Sequence, residues 1–246
     1  MDFTFGIITN GQNDNLINKI IKSIENNKIP IYEIIIVGNT KFASNENIRI
    51  FNFDETIKEG WITRKKNIIS KNAQYENIVF LHDYIEFNKD WYEGFLKFGN
   101  NFEFCINKII NLNGVRFRDY SLFPAKVDFL NINYSPDDIH PYFGNNCLLP
   151  YDFENNIKTN KYMYISGSYY VIKRKIANLF LLDENIVWGG GEDVEYSKRL
   201  HNNGVIIQCN KFSSVKLLKY KSSVHWEREI TPQMLQVYEN YCNIQK

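Results

Sequence analysis

Residues 30–39 read Pro-Ile-Tyr-Glu-Ile-Ile-Ile-Val-Gly-Asn. The run Ile31–Val37 is nearly continuous in apolar residues, which marks a strand covered on both faces, and such strands belong to parallel sheets. Pro30 breaks what precedes it, and Gly38 and Asn39 end the run. Upstream, Leu16, Ile17, Ile20, Ile21 and Ile24 recur at helical spacing, and before them Phe3–Thr9 reads as a strand stopping at a polar loop, Asn10–Asp14. Downstream, Ile48–Phe53 is a strand, Ile62–Asn72 a helix, and Asn77–Leu81 a strand that stops at His82-Asp83-Tyr84. This β-α-β-β-α-β order predicts an α/β fold, a mixed and mostly parallel central sheet flanked by helices.

The second half is less regular. Between Asn111 and Lys161 stand Pro124, Pro136, Pro141 and Pro150 among many Asn and Asp residues, which predicts loops with short strands. Tyr162–Ile172 is a strand candidate interrupted by Ser166-Gly167-Ser168, and a helix over Glu192–Asn202 follows three glycines. Val205–Cys209 and Val215–Tyr220 read as two strands. Thr231–Cys242 is a closing helix, with Thr231 as N-cap and Pro232 at the first helical position.

With 246 residues, 44% of them hydrophobic, the chain has material for one large domain with a packed core. A net charge of +1 gives no global basic field and argues against nucleic acid as a partner. The aromatic fraction of 15% serves either core packing or a stacking cleft. Cys105, Cys147, Cys209 and Cys242 form neither a CxxC pair nor a zinc-spaced cluster, so free thiols in a reducing compartment are expected. No charged lead with a long apolar stretch opens the chain, and no apolar run approaches the ~20 residues of a membrane-spanning helix. A soluble, cytoplasmic protein with no transmembrane segment is expected.

Open α/β sheets bind ligands beyond the carboxyl ends of their strands. Thr9 and Asn10, Gly38 and Asn39, and His82, Asp83 and Tyr84 all fall there. Neither G-x-G-x-x-G nor a P-loop is present, so a nucleotide's phosphates need another charge partner, most simply a divalent metal held by Asp83. Capping of local backbone is the alternative role for that Asp. Arg64-Lys65-Lys66-Asn67 opens a helix, where cations suit a phosphate or merely a solvated face. Val187-Trp188-Gly189-Gly190-Gly191-Glu192-Asp193-Val194-Glu195 is the sharpest feature. The acids complement a helix dipole, but that explains neither the glycines nor Trp188. A carboxylate beside a Trp-flanked glycine loop can meet a sugar and take a proton from a hydroxyl. Val224-His225-Trp226 offers an imidazole as a metal ligand.

Together these residues resemble a GT-A glycosyltransferase, specifically the large inverting group typified by family 2, from Phe3 to about Trp226. Trp188–Glu195 is similar to the W-G-G-E-D-x-E signature of galactosyl- and N-acetylhexosaminyl-transferring members. Lys66-Asn67 resembles the family's basic residue before Asn. Leu81-His82-Asp83-Tyr84 stands where the family has Asp-x-Asp, and Asn39 where it usually has Asp. The resemblance implies a single GT-A domain over 1–246, with residues 1–110 as the nucleotide-binding half and 111–246 as the acceptor-binding and catalytic half. It implies transfer of a hexose or N-acetylhexosamine from a UDP-sugar to a glycan or protein hydroxyl, with inversion. Asp193 is then the catalytic base and Glu192 binds hydroxyls. Thr9, Asn10, Asn39, Lys66 and His82 serve the nucleotide. Trp188, Gly190, Gly191, Ser166 and Gly167 shape the sugar and acceptor side, and Asp83 and His225 hold Mn²⁺ or Mg²⁺. Two rivals stand beside it. A sugar-phosphate nucleotidyltransferase calls for a glycine-rich basic loop after the first strand, but Thr9–Asn15 holds one glycine and no cation. A non-catalytic glycan- or nucleotide-binding module derived from a transferase is the other.

Overall fold

In the computed structural model, which describes residues 1–129, 133–137, 139, 146–222 and 228–244, strand β1 (Phe3–Ile8) lies beside β2 (Tyr32–Val37), and β2 beside β3 (Ile48–Phe51). On the other flank of β1 lies β4 (Asn77–His82), and all these pairings are parallel. Every residue of β1 is buried, as are residues 33–37 of β2. Helices α1 (Asp14–Asn26) and α2 (Ile62–Asn72) carry the chain between strands, and α1 buries the predicted stripe of Ile17, Ile20, Ile21 and Ile24.

The chain lays β1 to β3 outward, then crosses back to place β4 against the free side of β1. This reversal is the topological switch point, where open α/β sheets form their ligand crevice. Register decides what meets there. Ile8 stands opposite both Val37 and His82, so the residues that follow, Thr9, Gly38 and Asp83, emerge side by side. A Cβ at Gly38 would lie 2.1 Å from the Thr9 carbonyl oxygen, and its φ of +139° is left-handed territory. Only glycine lets β2 end so close to β1.

Past β4 the sheet becomes mixed. A short β5 (Ile85–Phe87), helix α3 (Trp91–Phe98) and β6 (Phe104–Ile110) follow. Residues 111–164 supply β7 (Ser121–Leu122), β8 (Ala125–Asp128), β9 (Asn133–Pro136), β10 (Cys147–Leu148) and β11 (Met163–Tyr164), which form two small antiparallel sheets, β10-β7-β11 and β8-β9. The chain then re-enters the main sheet with β12 (Tyr169–Lys173), passes through α4 (Arg174–Leu179) and α5 (Glu192–Asn202), and completes the sheet with β13 (Ile207–Leu217). The eight strands run in the order β3-β2-β1-β4-β12-β6-β13-β5. Helix α6 (Pro232–Ile244) closes the chain, and Thr231 Oγ1 accepts from the Met234 amide at 3.3 Å as the expected cap.

One strand replaces the two expected over 205–220. β13 is continuous, with a register shift against β6 between Asn210 and Ser214. Asn210 and Ser213 side chains bond across that bulge, and α3 presses Gly94 onto it, where a Cβ would meet the Phe212 oxygen at 2.5 Å. Much of the aromatic excess is core. Phe3, Phe5, Phe87, Trp91 and Phe95 pack with centroids 4.5 to 6.0 Å apart. Such pairs add about 0.5–1.5 kcal/mol each beyond burial. All four cysteines are free. Among the described residues no helix is long and apolar enough to cross a membrane.

Candidate active site

Two cavities open at the carboxyl edge of the sheet. The larger, about 730 Å³, is lined by Thr9, Asn10, Gln12 and Asn13 after β1, by Glu55, Glu59, Gly60 and Lys65 around the start of α2, and by Asp83, Lys219 and Lys221. The smaller, about 480 Å³, is lined by Arg118, Ser166, Gly167, Ser168, Gly189, Gly191, Glu192 and Asp193. His82, Tyr84 and Trp188 line both, so the cavities share a wall and form one cleft.

Asp83 is held at the switch point. Its Oδ2 accepts hydrogen bonds from Thr9 Oγ1 at 2.7 Å and Asn13 Nδ2 at 3.0 Å. Lys65 donates to the Thr9 carbonyl at 2.7 Å and is ion-paired with Glu55. Burial lowers the His82 pKa well below its ordinary value, helped by Lys66, Lys221, Lys219 and Lys65, so the imidazole is neutral. Its Nε2 is buried without a hydrogen-bond partner among the described residues, and the ring packs 5.4 Å from that of Tyr84. An orphaned buried nitrogen at the junction of two cavities is a feature that a ligand can satisfy.

The acid pair sits at the first turn of α5. Gly191, at φ +75°, precedes the helix, and Gly189 at φ +82° also takes a conformation that side chains avoid. Asp193 Oδ2 accepts from the Gly167 amide at 3.0 Å and Oδ1 from the Val194 amide at 2.9 Å. The carboxylate is thereby aimed into the smaller cavity. Glu192 is 7% exposed. Burial raises its pKa to about 7, the Asp193 charge adds to that, and Lys66 opposes it. A carboxyl group whose pKa lies near neutrality can exchange a proton with a ligand there.

Lys66 lies beneath this pair. It is 1% exposed, and its Nζ donates to the Gly167 carbonyl at 2.8 Å, lies 4.0 Å from Glu192 Oε1 and sits 5.1 Å from the centre of the Tyr170 ring. Burial lowers its pKa, with Glu192 and Asp193 opposing. It lines neither cavity and sits under the acids. The physical reason is helical phase: Ile62, Lys66 and Ile69 share the inward stripe of α2. The solvated-face reading fails for Lys65 and Lys66 alike, both being buried.

Trp188 is 66% exposed on the wall between the cavities. The segment leading to it is sewn to α2. The Trp188 amide donates to the Gly60 carbonyl at 2.8 Å, Thr63 Oγ1 to Ile186 O at 2.8 Å, Trp61 Nε1 to Glu184 O at 2.8 Å, and Asn67 Nδ2 to Leu182 O at 2.9 Å.

Of the residues singled out from sequence, Thr9, Asn10, His82 and Asp83 line the larger cavity, and Ser166, Gly167, Gly191, Glu192 and Asp193 the smaller. Asn39 lines neither; its backbone packs against Gly11. Gly190 also faces away, against Ile186. His225 lies outside the described residues. Sequence reading passed over Asn13, Glu55, Arg118, Lys219 and Lys221. The two lysines stand with their ammonium groups 4.4 and 4.7 Å from the centre of the Tyr84 ring. Burial lowers the Lys221 pKa, Lys219 and Arg118 lower it further, and Asp83 pulls the other way.

Among the described residues no three His, Cys, Asp or Glu side chains cluster as a metal cage. The donor set there is sparse: the Asp83 carboxylate, whose Oδ1 accepts no hydrogen bond among the described residues, with the neutral His82 imidazole beside it in the chain. Mg²⁺ and Mn²⁺ accept such sets when substrate phosphates and water complete the shell. The residues fit a divalent ion whose remaining ligands come from water or a bound molecule.

No protein-family model matches this sequence, and no curated protein matches it. Solved structures do resemble it. GalNAc-T7 with UDP, GalNAc and Mn²⁺ superposes with a TM-score of 0.59 at 14% identity, covering 98% of this chain and 47% of that one. S. aureus TarS in complex with UDP-GlcNAc gives 0.55 at 14% identity, covering 92% of this chain and 60% of that one. A longer form of S. aureus TarS gives 0.54 at 14% identity, with 100% of this chain and 39% of that one covered. The chain thus spans about half the length of the proteins it resembles, and the likeness is one of fold. The mixed, mostly parallel sheet flanked by helices is the GT-A-type fold of glycosyltransferases.

Proposed function

We propose that this protein is a nucleotide-sugar-dependent glycosyltransferase, moving a hexose or N-acetylhexosamine from a UDP-sugar to a hydroxyl of a glycan or protein. One observation carries the reading. The strand-end cavity at the switch point and the cavity of the Glu192–Asp193 pair are one cleft, joined at His82, Tyr84 and Trp188. A donor lying across that wall has its nucleotide near Thr9, Asn10 and Asn13 and its sugar against Trp188, within reach of the acids.

In the proposed reaction Asp193 takes the proton of the acceptor hydroxyl. The hydroxyl oxygen bonds to the anomeric carbon as the bond from that carbon to the diphosphate oxygen breaks, its electron pair leaving with UDP. In-line attack inverts the anomeric centre. The Gly167 and Val194 amides fix Asp193 for this task. Trp188 offers an apolar platform to the sugar ring. Asp83, oriented by Thr9 and Asn13, would hold Mn²⁺ or Mg²⁺ against the diphosphate, and such an ion neutralises the leaving group when bound. The neighbour solved with UDP, GalNAc and Mn²⁺ supports the choice of donor and ion. A second assignment of the base is favoured by one observation: the pKa of Glu192, raised to about 7, suits a group that exchanges protons near neutral pH.

The test pairs binding with turnover. A thermal-shift panel of nucleotide sugars, with and without Mn²⁺, finds the donor, because a ligand stabilises the state it binds. UDP release with an acceptor then reports transfer. Asp193→Asn is expected to bind the donor as wild type does and to lose transfer by about 10²–10⁴-fold. Full transfer by Asp193→Asn with loss in Glu192→Gln hands the base role to Glu192. A panel in which no nucleotide sugar binds refutes the transferase.

A further inference from the structure

Several lysines of this chain are ion-paired: Lys216 with Glu86 at 2.7 Å, Lys65 with Glu55, and Lys173 with Glu76 at 3.0 Å. Lys219 and Lys221 are not. Both are half-buried, both line the larger cavity, and among the described residues neither ammonium makes an ion pair or a hydrogen bond. Both hang over the ring of Tyr84, at 4.4 and 4.7 Å from its centre, which bounds their separation at the sum of those distances. Tyr84 cannot wander, since it is 7% exposed and its carbonyl accepts the Leu218 amide at 2.8 Å. That same bond ties the lysine-bearing segment to the strand end. The Asp83 charge acts on Lys221, but Thr9 and Asn13 hold that carboxylate. Two like charges over one aromatic ring, in a cavity and with no ion-pair partner among the described residues, leave a place for an anionic ligand. Ring attraction offsets part of the repulsion.

We propose that Lys219 and Lys221 form a clamp for the diphosphate of the donor, with Tyr84 as its floor, and that the clamp binds this dianion without a divalent ion. Lysine suits the task as a mobile point charge. Position supports the assignment: the pair stands beyond the end of β13, facing the switch point where a nucleotide's phosphates lie. The clamp rests on the transferase reading for what lies beyond the diphosphate, and on the lysines alone for the diphosphate itself.

Calorimetry in EDTA tests it, with UDP, uridine and inorganic pyrophosphate as probes of the full chain. Wild type is expected to bind UDP and pyrophosphate, each competing with the other, and not to bind uridine measurably. Lys219→Met/Lys221→Met keeps the aliphatic stems and is expected to weaken both ligands at least tenfold, while Lys219→Arg/Lys221→Arg restores them. Thermal midpoints of the variants report that they fold. Unchanged affinities in the Met variant, or no binding of either ligand by wild type in EDTA, overturn the clamp. UDP-sugar turnover combined with unchanged affinities would refute the clamp and leave the transferase. Pyrophosphate binding lost in the Met variant, with no nucleotide or nucleotide sugar bound, would leave the clamp and refute the transferase.

Discussion

Replacing Glu192 with Gln changes how stability depends on pH, and by an amount the structure sets. The Glu192 pKa is raised from 4.5 to about 7 by burial first and the Asp193 charge second. The folded state therefore binds more protons than the unfolded state between those values. Stability from this group is fully present below pH 4.5, declines as pH rises toward 7, and is flat above. At about 1.4 kcal/mol per tenfold change in proton affinity, the loss between pH 5 and pH 8 comes to roughly 2.5 kcal/mol. For a chain of this size that moves the thermal midpoint by about 5–10 °C. Other carboxylates titrate too, and Glu76 and Glu184, both lowered in pKa, contribute in the opposite direction. The comparison is thus between variants. Glu192→Gln should lack the descending limb, so its stability relative to wild type grows by roughly 2.5 kcal/mol from pH 5 to pH 8. Urea unfolding of both proteins at the two pH values is the assay. Parallel pH profiles would refute the buried-acid argument.

Asp83→Ala should abolish the increment that Mn²⁺ adds to UDP affinity and leave the affinity measured in EDTA, as calorimetry reports; a surviving increment removes Asp83 from the ion. Gly167→Ala should cut transfer at least tenfold with donor affinity retained, because the added Cβ would stand 2.4 Å from Glu192 Oε1 and 3.3 Å from Asp193 Oδ2. Wild-type turnover in that variant would mean the acids need no such precision.

The amino-terminal half was readable because its signals are local. Unbroken apolar runs gave β1 and β2, and the spacing of Ile17, Ile20, Ile21 and Ile24 gave α1. The ends of α2 and α5 fell where Gly60 and Gly191 placed them. The stretch from Ile85 to Phe104 was opaque. Its helix has two turns, and Trp91, Phe95, Phe98, Phe102 and Phe104 follow no single period. Asp83, Glu192 and Asp193 announced themselves by residue type at strand and helix ends. Lys219 and Lys221 did not, because in a lysine-rich chain only pairing of the neighbouring segment with Tyr84 brings them to the cleft. Lys66 was legible and misread: its place four residues after Ile62 and three before Ile69 marks the inner stripe, a signal that the pull of a charged helix start concealed.

The seam between residues 182–188 and α2 has a bearing on how such a cleft changes its appetite. Backbone carbonyls of Leu182, Glu184 and Ile186 are each claimed by a side chain of α2 or its approach, so an insertion or deletion there would forfeit several bonds together. Gly189 and Gly191 carry no side chain to repack, and the next fixed point is the helix bearing the acids. Change in this wall over generations is thus channelled into the exposed side chain of Trp188, since positive φ holds Gly189 and Gly191 to glycine and Ile186 crowds Gly190.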